Sequence, residues 1–209
     1  MKGMFYLTYT VIDFETTGLD YLTEQIIEIG AIKYDDAFNE VGRLHTMVQL
    51  TDGRELNPFI IELTGITEKD TYTGVTEVAG LSMLRDFIGD STVVAQHAPF
   101  DLSFLSKALE VESFIDTRSL SRLINPDEKA GLKDLCNRYG VKLDNHHRSI
   151  ADVEATTEVL KIMMDEAHKL GLPYKNVIVK SPDRELNFIP LSAIVITLEN
   201  AKDLQGIVK

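Results

Sequence analysis

Thr10-Val11-Ile12-Asp13-Phe14-Glu15-Thr16-Thr17-Gly18 is the stretch on which the fold turns. The β-branched and apolar residues of Thr8–Phe14 predict a strand. Side chains two apart on a strand share a face, so Asp13 and Glu15 sit together at its end. Like charges side by side raise each other's proton affinity, whereas a divalent metal lets both stay ionised. A solvated strand end would also explain an isolated Asp-x-Glu, because charged residues are mostly exposed. The apolar flanks and the Gly18 turn weigh against that explanation.

Outward from this strand, Gln25–Tyr34 and about Leu44–Leu50 also predict strands, and short connections between the three suggest an antiparallel meander. After Asn57-Pro58 the pattern changes to alternation: helices near Phe59–Leu63 and Val75–Ile88, strand Thr92–Gln96, helix Pro99–Leu109 and a short strand Ser113–Asp116. Helices over about Leu132–Tyr139 and Ser149–Lys169 follow. A meander that gives way to alternation implies an α/β fold, a mixed sheet with helices on both faces. Gly171-Leu172-Pro173 stops the last helix, which sets a domain over residues 1–173 and an extension over 174–209. The extension holds two strand-like runs, Asn176–Val179 and Ala193–Leu198. It reads either as an extra hairpin on the sheet or as a docking element for a partner.

The chain of 209 residues is 44% hydrophobic, enough for one sizeable core. Its single cysteine, Cys136, cannot form an internal disulfide and falls on the apolar stripe of a helix. Met1–Leu7 lack a cleavable apolar leader and no apolar run approaches membrane-spanning length, so the expectation is a soluble, cytoplasmic protein without membrane contact. A formal charge of −12 argues against coating nucleic acid, which draws on Lys and Arg at the phosphates. An enzyme holding one strand end remains compatible, because bound divalent cations would reverse the field at the carboxylates.

Three further residues are candidates. Asp101 lies in the first turn of a helix begun by Pro99, where an acid also favours the helix dipole; strand-to-helix junctions at one end of an α/β sheet are also where functional groups collect. Asp152 closes Ser149-Ile150-Ala151-Asp152, which has the form of a capping box. His147, just before that cap, could take a proton from water beside a carboxylate-bound metal, and the neighbouring His146 competes for the role.

In order, these elements resemble the DEDDh 3′–5′ exonuclease family, and within it the proofreading epsilon-subunit-like members. The resemblance rests on Asp13-x-Glu15-Thr16-x-Gly18, Phe100-Asp101, and His147-x4-Asp152 opening a late helix. Glu62-Leu63-Thr64-Gly65-Ile66-Thr67, Asp116-Thr117-Arg118-Ser119-Leu120 and Leu132-Lys133-Asp134-Leu135-Cys136 match it in order as well. It covers about residues 8–170 and does not extend to 174–209. Gln96-His97-Ala98 departs from the family's His-Asn-Ala and puts His97 where an Asn is usual.

The resemblance implies a ribonuclease H-like three-layer fold with a five-stranded sheet. It implies release of nucleoside monophosphates from the 3′ end of DNA, as in replication proofreading or repair. Asp13, Glu15 and Asp152 would hold one Mg²⁺ or Mn²⁺, and Asp13 with Asp101 through water would hold a second. His147 would be the general base. Backbone groups of Thr16, Thr17 and Gly18 would contact the terminal nucleotide, with Glu15, Leu19, Ile66 and His97 as further substrate contacts. The implied partners are single-stranded 3′ ends; a polymerase or other protein engaged through 174–209 is an expectation from the composition of that segment, not from the resemblance. The alternatives are an RNA exonuclease on the same scaffold and a non-catalytic nucleic-acid-binding subunit of a polymerase assembly.

Overall fold

A computed structural model describes residues 7–208, with side chains of the last helix described as far as Leu204. The reading of Met1–Leu7 as lacking a leader therefore rests mostly outside the described residues. The strands are β1 (Tyr9–Thr16), β2 (Ile26–Tyr34), β3 (Glu40–Met47), β4 (Thr92–Ala95), β5 (Phe114–Asp116), β6 (Val177–Lys180) and β7 (Ile194–Thr197). The helices are α1 (Pro58–Thr64), α2 (Glu68–Thr71), α3 (Glu77–Ile88), α4 (Ala98–Leu105), α5 (Thr117–Ile124), α6 (Leu132–Tyr139), α7 (Ser149–Lys169) and α8 (Leu198–Val208).

The main sheet has the order β3-β2-β1-β4-β5. Its first three strands form the expected antiparallel meander, and β4 and β5 join β1 in parallel. Helices cover both faces. Tyr9, Val11 and Ile32 pack with α5, α6 and α7, including Leu120, Cys136 and Val159. Ile12, Phe14, Ile26 and Ile29 pack on the other side with α3 and α4, through Leu84, Leu102 and Phe104. The expected α/β, three-layer, mixed five-stranded architecture is the one observed, and Cys136 is buried as read.

Three differences have physical causes. β3 begins at Glu40, earlier than expected, because it is an edge strand paired only with β2 and its first residues are largely exposed; no apolar signal marks them. Helices α2, α5 and α8 were not expected; α2 and α5 are short, and α5 carries polar residues that are nonetheless buried, such as Ser121 and Arg122. The extension forms no hairpin on the main sheet. β6 and β7 pair in parallel as a separate two-stranded sheet, and a parallel pair needs a crossover, supplied by residues 181–193. The extension packs onto the domain: Asn176 Oδ1 accepts from the Phe114 N–H at 2.7 Å. Val177 and Val179 join the core beside α5 and α7. Among the described residues no helix is long and apolar enough to cross a membrane.

Candidate active site

The site grows from one face of β1. Asp13 pairs in register with Gly30 of β2, and Glu15 pairs with Glu28. Gly30 is required for what comes next: a Cβ there would lie 2.7 Å from the backbone carbon of Ser149. The missing side chain lets the first turn of α7 descend onto β2, and that turn carries Asp152.

Glu28 then secures the contact. Its carboxylate accepts from the Ser149 N–H at 2.9 Å and from Arg148 Nη2 at 2.6 Å, with His45 Nε2 at 2.9 Å. A buried carboxylate thus satisfies an orphan N–H at the start of α7. The expected capping box does not form: Arg148 is the N-cap residue, without a side-chain capping bond. The Ser149 hydroxyl has no hydrogen-bond partner among the described residues. Freed from capping, the Asp152 carboxylate turns into the site, where it accepts from the His147 N–H at 3.1 Å and meets His146 Nδ1 at 2.9 Å.

Ligand oxygens of Asp13, Glu15 and Asp152 all lie within 4.8 Å of one another. Asp101, nearly fully buried on α4, stands behind them and accepts from the Phe14 N–H at 3.2 Å. Burial, then the charges of Asp101, Glu15 and Asp152, push the Asp13 carboxyl well above the usual carboxylate range. Burial and the charges of Asp152, Glu28 and Asp101 push Glu15 up to about 8. Glu28 goes the other way: burial pushes it up, but the bonds from Arg148, His45 and the Ser149 N–H outweigh that and hold it below its ordinary value. Among the described residues none of the three clustered acids has a Lys or Arg ion pair, and Asp152 meets only the His146 ring; such a cluster fits a divalent cation, whose charge would offset their repulsion and whose preference is for hard oxygen ligands.

The carboxylates line a cleft of about 520 Å³. Thr16, Thr17, Gly18 and Leu19 form one rim, with the turn pinned by Thr16 Oγ1 donating to the Gly18 carbonyl at 2.7 Å and by Thr17 bonding Glu24. Phe59, Ile60 and Leu63 of α1 form another. Both histidines reach the cleft. Their rings stack with centroids 3.8 Å apart. The His146 ring is engaged by Asp152, whereas the His147 ring has no hydrogen bond among the described residues. Burial and the neighbouring His146 lower the His147 imidazole below its ordinary value.

Two expected substrate contacts are placed elsewhere. Ile66 is 1% exposed and packs with Ile27 and Leu56, so it is a core residue with no face toward the cleft. His97 caps α4 with φ of 71° while its backbone N–H donates to Asp116 at 3.0 Å. Its ring borders an adjoining cleft rather than the carboxylate one. Conversely, Phe59, Leu63, Glu28 and Arg184 went unread. Phe59 and Leu63 could have been noticed: Phe59, Ile60, Ile61 and Leu63 leave a seven-residue helix with more apolar surface than one face can bury.

A family model described as "Exonuclease" matches residues 10–160. The PolC-type DNA polymerase III of Bacillus subtilis is 38% identical over 181 residues, covering 80% of this chain and 12% of the relative. The PolC-type enzyme of Staphylococcus aureus is 33% identical over 218 residues, covering 97% of this chain and 15% of the relative. That match takes in most of the extension, so 174–209 has a counterpart, contrary to the expectation from the sequence. The chain therefore spans only 12% to 15% of the length of these relatives. Among solved structures, E. coli Exonuclease I in complex with a dT13 oligonucleotide has a TM-score of 0.68 at 20% identity, covering 79% of this chain and 42% of that one. A 3′-exonuclease solved for its recognition of a histone mRNA stem-loop has a TM-score of 0.64 at 17% identity, covering 77% and 65%. At such identities the likeness is one of fold. The family match, the clustered Asp13, Glu15 and Asp152 and the His-x4-Asp opening of α7 agree, and the chain belongs to the Exonuclease family, in its DEDDh branch.

Proposed function

We propose that the chain hydrolyses single-stranded DNA from its 3′ end with two bound divalent cations, Mg²⁺ or Mn²⁺, and releases nucleoside monophosphates. The observation that carries this reading is the convergence of Asp13, Glu15 and Asp152 oxygens within 4.8 Å in an open cleft. DNA is favoured because the relatives sharing 33% to 38% identity are named as DNA polymerases.

Asp13, Glu15 and Asp152 would hold one ion, and Asp13 with Asp101 would serve a second. Such ions, when bound, polarise the phosphodiester and ease deprotonation of water. The protein's own groups do the rest. His147 takes the proton of the attacking water on an imidazole nitrogen; its lowered proton affinity keeps the ring neutral near pH 7 and able to accept. His146, bonded to Asp152, orients that carboxylate. The Thr16–Gly18 turn presents backbone groups to the terminal nucleotide. Leu19, 71% exposed, and Phe59, 63% exposed, offer apolar surface to its base. A polymerase partner remains part of this proposal, with residues 174–209 as the surface for it.

The test uses 5′-labelled single-stranded DNA and the matching RNA, with Mg²⁺, Mn²⁺ or chelator, and Asp13→Asn alongside. Metal-dependent shortening from the 3′ end that falls by about 10³-fold or more in Asp13→Asn, whose fold persists, is the expected result, since a metal's charge stabilisation amounts to several kcal/mol. Full activity in that variant, or in chelator, would overturn the reading. Faster hydrolysis of RNA would transfer the substrate assignment.

A further inference from the structure

The described chain has eight arginines, and seven have a carboxylate within 4.0 Å: Arg43, Arg54, Arg85, Arg118, Arg122, Arg138 and Arg148. Arg184 is the exception. Among the described residues its guanidinium has neither an ion pair nor a hydrogen bond, in a chain whose 33 acidic residues outnumber 21 basic ones. Among the described residues it is also the one residue of the extension that lines the carboxylate cleft, and it lines the adjoining cleft beside Leu19 and Phe100 as well. The cation therefore stands where the two clefts meet.

Its position is built. Residues 181–193 cross from β6 to β7 past the mouth of the site. Just before Arg184, Asp183 is held by Arg118 Nη2 at 2.7 Å and Arg122 Nη2 at 2.8 Å, and the Ser181 hydroxyl donates to it at 2.6 Å. Just after it, Phe188 packs edge-on against Tyr21 with centroids 5.6 Å apart, and Leu186 and Phe188 rest on the core. The strap is anchored on both sides, while among the described residues the guanidinium it presents makes no ion pair or hydrogen bond and meets Asp101 and Asp183 only through longer-range attraction. A guanidinium is permanently charged and matches a phosphate with two parallel N–H donors, so the ligand it suits is a phosphate group.

We propose that Arg184 binds a backbone phosphate of the substrate strand beside its 3′ terminal nucleotide, which makes the 174–209 extension part of the catalytic cleft. The inference rests on the nuclease reading above for the identity of the strand. It also explains why the extension crosses the mouth of the site instead of extending the sheet.

The experiment measures KM and kcat of the full chain on 5′-labelled oligothymidylate across about 50 to about 200 mM salt, and binding of the same oligonucleotide in chelator by fluorescence anisotropy. Wild type is compared with Arg184→Ala, Arg184→Lys and Lys180→Ala. The expected result for Arg184→Ala is a KM and dissociation constant raised about 10-fold or more, the size of one charge-assisted hydrogen-bonded contact. Its kcat should stay within about threefold of wild type, since the contact binds the ground and transition states alike. The slope of log KM against log salt should become shallower by about 0.7, one phosphate on a single strand. Arg184→Lys should recover most of the slope, and Lys180→Ala, which removes an exposed cation nearby, should behave as wild type. An unchanged KM and slope in Arg184→Ala would overturn the proposal, as would a weaker KM with the wild-type slope, or an equal effect of Lys180→Ala. If wild type hydrolyses nothing with either metal, the nuclease reading fails while the anisotropy series still decides whether Arg184 meets a phosphate.

Discussion

Glu15 and Glu28 face each other across β1 and β2, the same residue type in one register pair, and the fold treats them in opposite ways. Glu28 is enclosed by Arg148, His45 and the Ser149 N–H and stays ionised below its ordinary range. Glu15, one strand away, has Asp13 and Asp152 as its near neighbours and is pushed up to about 8. Burial alone does not separate a structural carboxylate from a functional one. The separation lies in whether the protein supplies the partner. The same contrast recurs twice nearby among the described residues: His146 is engaged by Asp152 while the His147 ring is not, and Arg148 is paired with Glu28 while Arg184 has no ion pair.

The largest effect should follow from removing the unpartnered member. Glu15→Gln is expected to lower turnover by about 10³-fold or more, because it weakens ion binding worth several kcal/mol to the reaction. In chelator it should be at least as stable as wild type, because it removes a buried carboxyl whose ionisation the fold opposes at neutral pH. Urea unfolding beside the single-strand assay reads both. A Glu15→Gln variant that kept its activity or lost stability in chelator would break the contrast with Glu28.

The histidine pair gives the next effect. His147→Ala should reduce kcat by about 10²-fold, the usual size of a general-base contribution, with divalent-ion affinity largely retained. His146→Ala should weaken ion affinity more than it slows turnover at saturating metal. A reversed pattern would assign the base to His146.

Much of this was legible in the sequence. Thr8–Phe14 and Gln25–Tyr34 declare themselves because both are buried on two faces, and Asp13 and Glu15 stand out as acids ending an apolar strand. Asp101, His147 and Asp152 are spaced along the chain in the order the family shares, so resemblance found them when local patterns did not. The rest depends on contacts between distant segments. Glu28 is a charged residue inside an apolar run, and nothing local says that Arg148 and the start of α7 will close on it from 120 residues away. Ile66 reads like any apolar residue near a motif until packing on Ile27 and Leu56 buries it. Arg184 sits in a Pro-bounded polar stretch, and only the parallel pairing of β6 with β7 carries it across the cleft.

A smaller effect sharpens the same comparison from the structural side. Glu28→Gln removes charge-assisted bonds to Arg148 and to the first turn of α7, and should cost about 2 kcal/mol of stability. Activity, corrected for the folded fraction, should remain within about tenfold of wild type, since Glu28 is expected to touch neither ion nor strand; that is the size of a one-hydrogen-bond disturbance. The pH dependence has a definite sign. Glu28 is depressed in the folded protein relative to its ordinary value near 4.5, so its stabilisation is present above that pH and is lost as pH falls through the folded value. Wild type should therefore lose more stability than Glu28→Gln as pH is lowered below about 4.5. Parallel stability curves for the two proteins would contradict this.

Ion binding itself is the most direct test, because it asks whether Asp13, Glu15 and Asp152 together hold a divalent cation. The measurement is the melting temperature at neutral pH in chelator and in Mn²⁺, for wild type, Glu15→Gln and Glu28→Gln. A ligand at about 100 times its dissociation constant adds about 2.7 kcal/mol to the folded state. Wild type and Glu28→Gln should both rise by several degrees with Mn²⁺, about the shift that stabilisation gives a chain of this size, while Glu15→Gln should rise far less. No rise in wild type, or an equal rise in all three, would contradict a cation site at these carboxylates.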